Sequence, residues 1–487
     1  MLPFEQQVIS RHIVNPDTRL HHLTVNGHGE PAFDYEEICD HISFWKILLV
    51  EKYGARKGQT ILIEYNLNSI YSNSAIFAAF ELGLILIVDW PHAYNEEDVN
   101  SYKMTMHGKI DFAIMYSKQL DPTSKDFYQY WDARRNIVNC NQIITELDFD
   151  NYQIQGQDAY NTIGTRVFAE PNDTAIWSAS SGTTGLPKKI EISHRKVYLQ
   201  AERLARHLGF QTTDSSLHVK NIHHGASMCY HFLPTWMMAK EQYCLNHDRI
   251  DDLPKKIQAH KINKVLLYST SMTLGYLKTT EPVDHDLDII TLFSPSREAL
   301  ELINQKNVRS LNIVFGDTTI GLGFFVKTVR NGDDPDAYEK HYVGKKLDDF
   351  FDLKVEDGAL WIAIPELNEG WQTSNDSFEL KGNKFYFYGR RNLYRIGDEW
   401  VQLGALDAET ERLFGDRATI VVDQELESIY LGIWTENPDA EKELNDYFAQ
   451  NFRAVSINKV LRGVDINEFI SSRKVDRQRL RDVCRRL

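Results

Sequence analysis

An apolar run at 61–65 (ILIEY), a stretch with helical spacing from 69 to 82, and a second apolar run at 84–88 (LILIV) follow one another with almost no connecting chain. Short strands that are apolar throughout, joined by a helix, are the unit from which parallel sheets are built. Gly83 stands where that helix has to stop. The pattern recurs at 112–116 and 265–268, which read as buried strands, and at 193–208, a helix ended by Gly209. Residues 289–293 and 311–315 read as two more strands with a helix over 297–305 between them. The chain to residue 391 is therefore expected to form a large α/β body of several subdomains. Beyond it, strands at 418–422, 429–434 and 456–461 around a helix at 440–452 predict a small α+β domain spanning 392–487.

A length of 487 residues suits about three folding units at roughly 150 residues each. Lys and Arg total 54 against 69 Asp and Glu, a formal charge of −15 that disfavours general nucleic-acid binding. Small anions need only a local nest of donors, so they stay open as ligands. The five cysteines (Cys39, Cys140, Cys229, Cys244, Cys484) form no CxxC pair, which argues against a disulfide framework or a structural zinc. The segment 75–88 is interrupted by Glu81 and too short to span a bilayer, and the N-terminus has no signal-peptide pattern. A cytoplasmic location is expected.

The most biased segment is 180–189, SSGTTGLPKK. Gly182 and Gly185 let the backbone approach a ligand, Ser181, Thr183 and Thr184 offer hydroxyls, and Lys188 adds a point charge. A polyphosphate needs such a cradle, although the spacing is not that of a Walker loop.

With Ser193-His194 shortly after it, this loop resembles the signature of the adenylate-forming superfamily: acyl-CoA synthetases, nonribosomal peptide synthetase adenylation domains and luciferases. Other segments resemble that family's motifs in the same order: Tyr35-Glu36-Glu37-Ile38, Gly83 with Asp89-Trp90-Pro91, Ile222-His223-His224-Gly225, Phe315-Gly316-Asp317-Thr318-Thr319, Ser374-Asn375-Asp376, Tyr388-Gly389-Arg390 and Arg473-Lys474-Val475-Asp476-Arg477. Singly, Asp376 reads as a turn carboxylate, Phe315 as core and Lys474 as part of a solvated basic segment. Their joint order decides for the functional reading.

The resemblance implies ATP-dependent activation of a carboxylic acid as acyl-AMP, with pyrophosphate released and the acyl group then passed to a thiol or an amine. It assigns Phe315 to adenine, Gly316 and Asp317 to ATP or AMP binding, Asp376 to the ribose hydroxyls, Arg390 to ribose or phosphate, and Thr318 to the α-phosphate. Lys474, delivered by a mobile small domain, would bridge the carboxylate and the α-phosphate. His224, Ser227, Phe293, Gly316 and Gly321 would line the acid pocket, and Asn392 would be the hinge. Implied cofactors are ATP and Mg²⁺, with coenzyme A or the phosphopantetheine of a separate acyl carrier protein as acceptor. The segment 394–400 (YRIGDEW) matches the loop that opens the thiol path.

Several positions depart from the pattern. Thr319 replaces the family's acidic magnesium ligand, Asn392 its hinge acid, Arg473 the glycine before the lysine, and Phe293-Ser294 a Gly-Gly step. They leave an alternative, a nucleotide-binding protein of the same fold without turnover. Retention of Lys474 speaks against it. No carboxylate occurs at 223–230 to pair with an ammonium group, which favours an aryl or short acyl substrate over an amino acid.

Overall fold

The computed structural model describes residues 7–22, 32–63, 70–88, 110–115, 140–154, 157–180, 188–219, 225–244, 253–267, 270–292, 294–317, 321–339, 341–347, 350–390, 393–396, 399–402, 410, 418–423, 428–433, 442, 445–446, 457–462, 470–471 and 474–475. The chain resolves into two compact units. One comprises Met1–Tyr268, Met272–Leu353 and Ile362–Ser374; the other comprises Ser269–Ser271, Lys354–Trp361 and Asn375–Leu487.

The first unit holds two sheets. The expected strand–helix–strand is present as Thr60–Ile63, Ile70–Leu82 and Ile85–Ile87, with the two strands paired in parallel. They sit inside a six-stranded sheet ordered Cys140–Thr145, Ile110–Met115, Thr60–Ile63, Ile85–Ile87, Thr174–Ser180, Lys188–Ser193; only the last strand runs antiparallel. The second sheet has nine strands. Five parallel pairings join Ser310–Asp317, Asp288–Thr291, Lys264–Leu266, Ser215–His218, Glu241–Cys244 and Arg19–His22, with antiparallel strands at both edges.

Helix Ile70–Leu82 is buried nearly all round because it is shared between layers. It packs on the strands beside it, while Phe77 meets Phe232 and Trp236 of the helical run 225–238, at 6.1 and 5.4 Å between ring centroids. Glu81, the charge inside this apolar stretch, is fully buried. It accepts from Arg11 Nε (2.8 Å), Arg11 Nη2 (2.7 Å) and Lys46 Nζ (2.7 Å), tying the N-terminal segment and helix Tyr35–Ile47 to its own helix.

The nine-stranded sheet has two unlike faces. One bears Leu217, Val265, Ile289, Leu311 and Ile313, packed against Ile257, Leu277, Leu300 and Ile303 of the covering helices. On the other, the register aligns Gln242, Ser216, Lys264, Asp288 and Ser310 in a row across five strands, all buried.

The second unit takes the strand Glu369–Lys381 only from Asn375 onward, and this part pairs antiparallel with Lys384–Arg390, followed by Leu393–Ile396 and Glu399–Gln402. A separate three-stranded sheet is formed by Ala418–Asp423, Ser428–Ile433 and Ile457–Arg462, at the positions the sequence predicts. The helix expected over 440–452 lies mostly outside the described residues. Among the described residues, no helix is long and apolar enough to cross a membrane.

Candidate functional site

The loop 181–187 joins the antiparallel strands Thr174–Ser180 and Lys188–Ser193, whose register sets Ser180 opposite Lys188. Ser181, Gly182, Thr183, Thr184 and Gly185 themselves lie outside the described residues. Of the two lysines that follow, Lys189 is committed to structure: its Nζ sits 3.9 Å from the Trp177 ring centroid and 2.7 Å from Glu191 Oε1. Ser193 then caps helix His194–His207 by accepting from Lys196 N–H. His194 is buried edge-on against Phe80, and burial pushes its pKa down to about 4, so the ring is neutral. The Ser-His element thus builds the helix that follows the loop. Tyr35-Glu36-Glu37 likewise opens helix Tyr35–Ile47, where Asp34 and Glu37 form a capping box.

Phe315, Gly316 and Asp317 end the parallel strand Ser310–Asp317, at the carboxyl edge where ligands of open α/β sheets bind. Its partner strand begins at Gly321, opposite Asp317, so three residues make the connection. The ladder shifts register between Phe315 and Asp317, a bulge of the kind that re-aims side chains. Phe315 is half-buried, 6.2 Å from Phe325 between ring centroids, and Asp317 is buried. Thr318 and Thr319 fall in the connection, outside the described residues.

Ser227 lies on the helical run 225–238 and is fully buried, and its Oγ has no hydrogen-bond partner among the described residues. The same run approaches the hairpin through Tyr230: a Cβ added to Gly323 would stand 3.4 Å from Tyr230 Cε1 and 3.2 Å from Val314. The short helix Gly225–Ser227 likewise lies against the strand Gly321–Arg330. His224 and Phe293 lie outside the described residues.

In the second unit the ladder pairs Asp376 directly with Arg390, next to a register shift between Asp376 and Phe378. Asp376 is 2% exposed, a buried carboxylate position one strand from a guanidinium-bearing one. Asn392 lies outside the described residues. Within the segment 394–400, the described strands Leu393–Ile396 and Glu399–Gln402 pair antiparallel, with Ile396 opposite Glu399. Lys474 opens the second strand of another antiparallel pair, Ile470–Ser471 with Lys474–Val475, in register opposite Ser471.

One cluster went unread in the sequence. Ser216 Oγ is 2.9 Å from His231 Nε2 and 3.1 Å from Thr235 Oγ1, and the Nδ1 atoms of His218 and His231 are 2.9 Å apart. Beside it, Asp288 accepts from Lys264 Nζ (2.7 Å), Arg309 Nε (2.8 Å) and Ser310 Oγ (2.6 Å), which holds its carboxyl at about 2 against the cost of burial. The available signal was the period-two recurrence of polar residues (Ser216 and His218, Ser310 and Asn312) around the aliphatic Leu217, Leu311 and Ile313.

A family model described as "AMP-binding enzyme" matches residues 36–315. The chain is 25% identical over 358 residues to a 3-hydroxybenzoate–CoA/4-hydroxybenzoate–CoA ligase of Thauera aromatica, spanning 64% of this chain and 67% of that one. It is 28% identical over 149 residues to a bassianolide nonribosomal cyclodepsipeptide synthetase of Beauveria bassiana, 30% of this chain and 4% of that far longer protein. Its fold is similar to that of an o-succinylbenzoate CoA synthetase from Bacillus subtilis, with a TM-score of 0.67 at 17% identity over 98% of both chains.

Proposed function

The chain belongs to the AMP-binding enzyme family, and from that premise we propose that it is an acid–thiol ligase that activates an aryl or short acyl carboxylate. A carboxylate oxygen attacks the α-phosphorus of ATP, the acyl–phosphate bond forms, the α–β bridge breaks, and pyrophosphate carries away the electron pair. The thiol of coenzyme A or of a carrier phosphopantetheine then adds to the acyl carbon, and AMP leaves.

Catalysis here is positioning plus charge neutralisation. In this reading the 181–185 hydroxyls and amides with Lys188 cradle the phosphates, and Phe315 stacks on adenine beside Gly316 and Asp317. Thr318 donates to the α-phosphate. Asp376 accepts the ribose hydroxyls with Arg390 beside it, a division of labour supported by their direct pairing in one ladder. Lys474 stabilises the charge that develops as acid meets nucleotide, and Asn392 is the hinge of a small domain spanning 392–487. Mg²⁺ would be held in this reading by the phosphates with the hydroxyls of Thr184 and Thr319, as a hydrated ion. When bound, it supplies neutralisation of phosphate charge.

The acid pocket in this reading is built from His224, Ser227, Phe293, Gly316 and Gly321. The absence of a carboxylate at 223–230 favours an acid without an ammonium group. The similarity to a hydroxybenzoate–CoA ligase supports an aryl acid.

The family match over 36–315 carries this proposal. It is tested by acid-dependent exchange of pyrophosphate into ATP, with mass spectrometry of acyl-AMP formed from mixed aryl, short acyl and amino acids. Exchange with aryl or short acyl acids is expected. ATP binding without exchange for any acid would sink it.

A further inference from the structure

The helical run 225–238 contains a wide turn, and its cause is local. Pro234 has no N–H to give the Tyr230 carbonyl, and its ring crowds that oxygen. The chain opens there, and Leu233 N–H donates to the Met228 carbonyl across five residues. His231 lies inside the wide turn and Thr235 one turn beyond it, and both reach Ser216 of the neighbouring strand. His231 is held at both ring nitrogens, by Ser216 at Nε2 and by His218 at Nδ1, each at 2.9 Å. Two Nδ1 atoms this close share one proton, so one imidazole donates and the other accepts. His218 and His231 also stack, with ring centroids 5.2 Å apart and planes 22° from parallel, and Phe210 and Phe232 close the sides. Ser216, His218, His231 and Thr235 are all buried, so this is a fully internal clamp.

What the clamp holds matters. Tyr230, the residue before His231, fills the space against Gly323 and Val314 beside the bulged hairpin end. Ser227, four residues before His231, carries a buried hydroxyl with no partner among the described residues, a group that a bound polar ligand would satisfy.

We propose that His231 is a positioning residue for the carboxylic acid. By pinning the wide turn to the strand Ser215–His218, it fixes Tyr230 and Ser227 at the wall where the acid docks. This rests on the acid pocket lying along 224–227, as argued above. The imidazole touches no reacting atom, so its removal acts on acid affinity and leaves the nucleotide alone.

The test measures KM for acid and for ATP separately, in the exchange assay, with an acid the wild-type enzyme turns over. His231→Leu is expected to raise the acid KM tenfold or more while the ATP KM stays within twofold. His231→Asn, which keeps a polar group where Nδ1 meets His218, recovers part of that loss. Ser216→Ala removes one oxygen, raises the acid KM about threefold, and adds little on top of His231→Leu, because both cut the same link. If His231→Leu does not fold, Ser216→Ala decides alone. An acid KM unmoved by Ser216→Ala, or acid and ATP KM values rising together, overturns the positioning role. Failure of the wild type with every acid would instead remove the ligase reading, and this inference with it.

Discussion

At the scale of single residues, two buried side chains govern stability. Glu81 faces two cations, Arg11 and Lys46, with all three side chains almost wholly out of water. The pair of cations holds its carboxyl below the usual range despite burial, so it is ionised in the fold. Glu81→Gln keeps the shape but leaves Arg11 and Lys46 without their anion. A loss of about 3–5 kcal/mol is expected in urea unfolding, partly recovered when Lys46→Met is added. His194 acts through pH. Its folded pKa of about 4 lies below the ordinary 6.5, so the unfolded chain takes up the proton first as pH falls. The neutral ring's contribution is complete above pH 6.5 and is lost between 6.5 and 4, to the extent of about 3 kcal/mol. Neither ring nitrogen has a hydrogen-bond partner, so His194→Leu should cost little at pH 7.5 and flatten the stability curve across that window. Unfolding midpoints measured at half-unit steps decide this, and an unchanged slope in the variant would refute it.

At the scale of elements, what was legible follows from local chemistry. The helix predicted over 297–305 is Arg297–Gln305, because Ser296 caps it and its apolar residues recur at helical spacing on one face. Gly209 ends the helix before it in left-handed geometry, φ +65°, where Phe210 N–H returns to the Ala205 carbonyl at 2.9 Å. A Cβ there meets nothing within 4 Å, so Gly209→Ala should cost only the backbone penalty, about 1 kcal/mol. Gly344 is a sharper case. At φ +101° its Cβ would stand 2.2 Å from the Val326 carbonyl oxygen, so Gly344→Ala must displace the edge strand Lys345–Lys346 as well. A clearly larger loss than at Gly209 is expected in the same denaturation series. Equal losses would mean that this edge yields freely. Less legible was the strand Glu369–Lys381 (EGWQTSNDSFELK), whose first eight residues show no apolar alternation. The polar row from Gln242 to Ser310 escaped for a related reason. Each of its residues is ordinary alone, and only parallel pairing places Lys264 beside Asp288 and Ser216 on one face.

At the scale of the whole molecule, the site motifs were legible as an order along the chain. Phe315, Gly316, Asp317, Gly321 and Ser227 belong to one compact unit; Asp376, Arg390 and Lys474 belong to the other. If adenylation needs Lys474 and thiol transfer needs the segment 394–400, the two half-reactions separate by mutation. On that premise the amine of Lys474 would stabilise charge only while pyrophosphate leaves, so Lys474→Ala should lower acid-dependent exchange by 10² or more. It should spare transfer from a supplied acyl-adenylate to the thiol within a few-fold. A substitution in that segment, Gly397→Leu, puts a branched side chain between the paired positions Ile396 and Glu399 and should give the opposite profile. Single-turnover measurement of each half-reaction reads both. If the two variants depress both steps alike, one fixed arrangement serves the whole reaction, and the swing about Asn392 is not part of the mechanism.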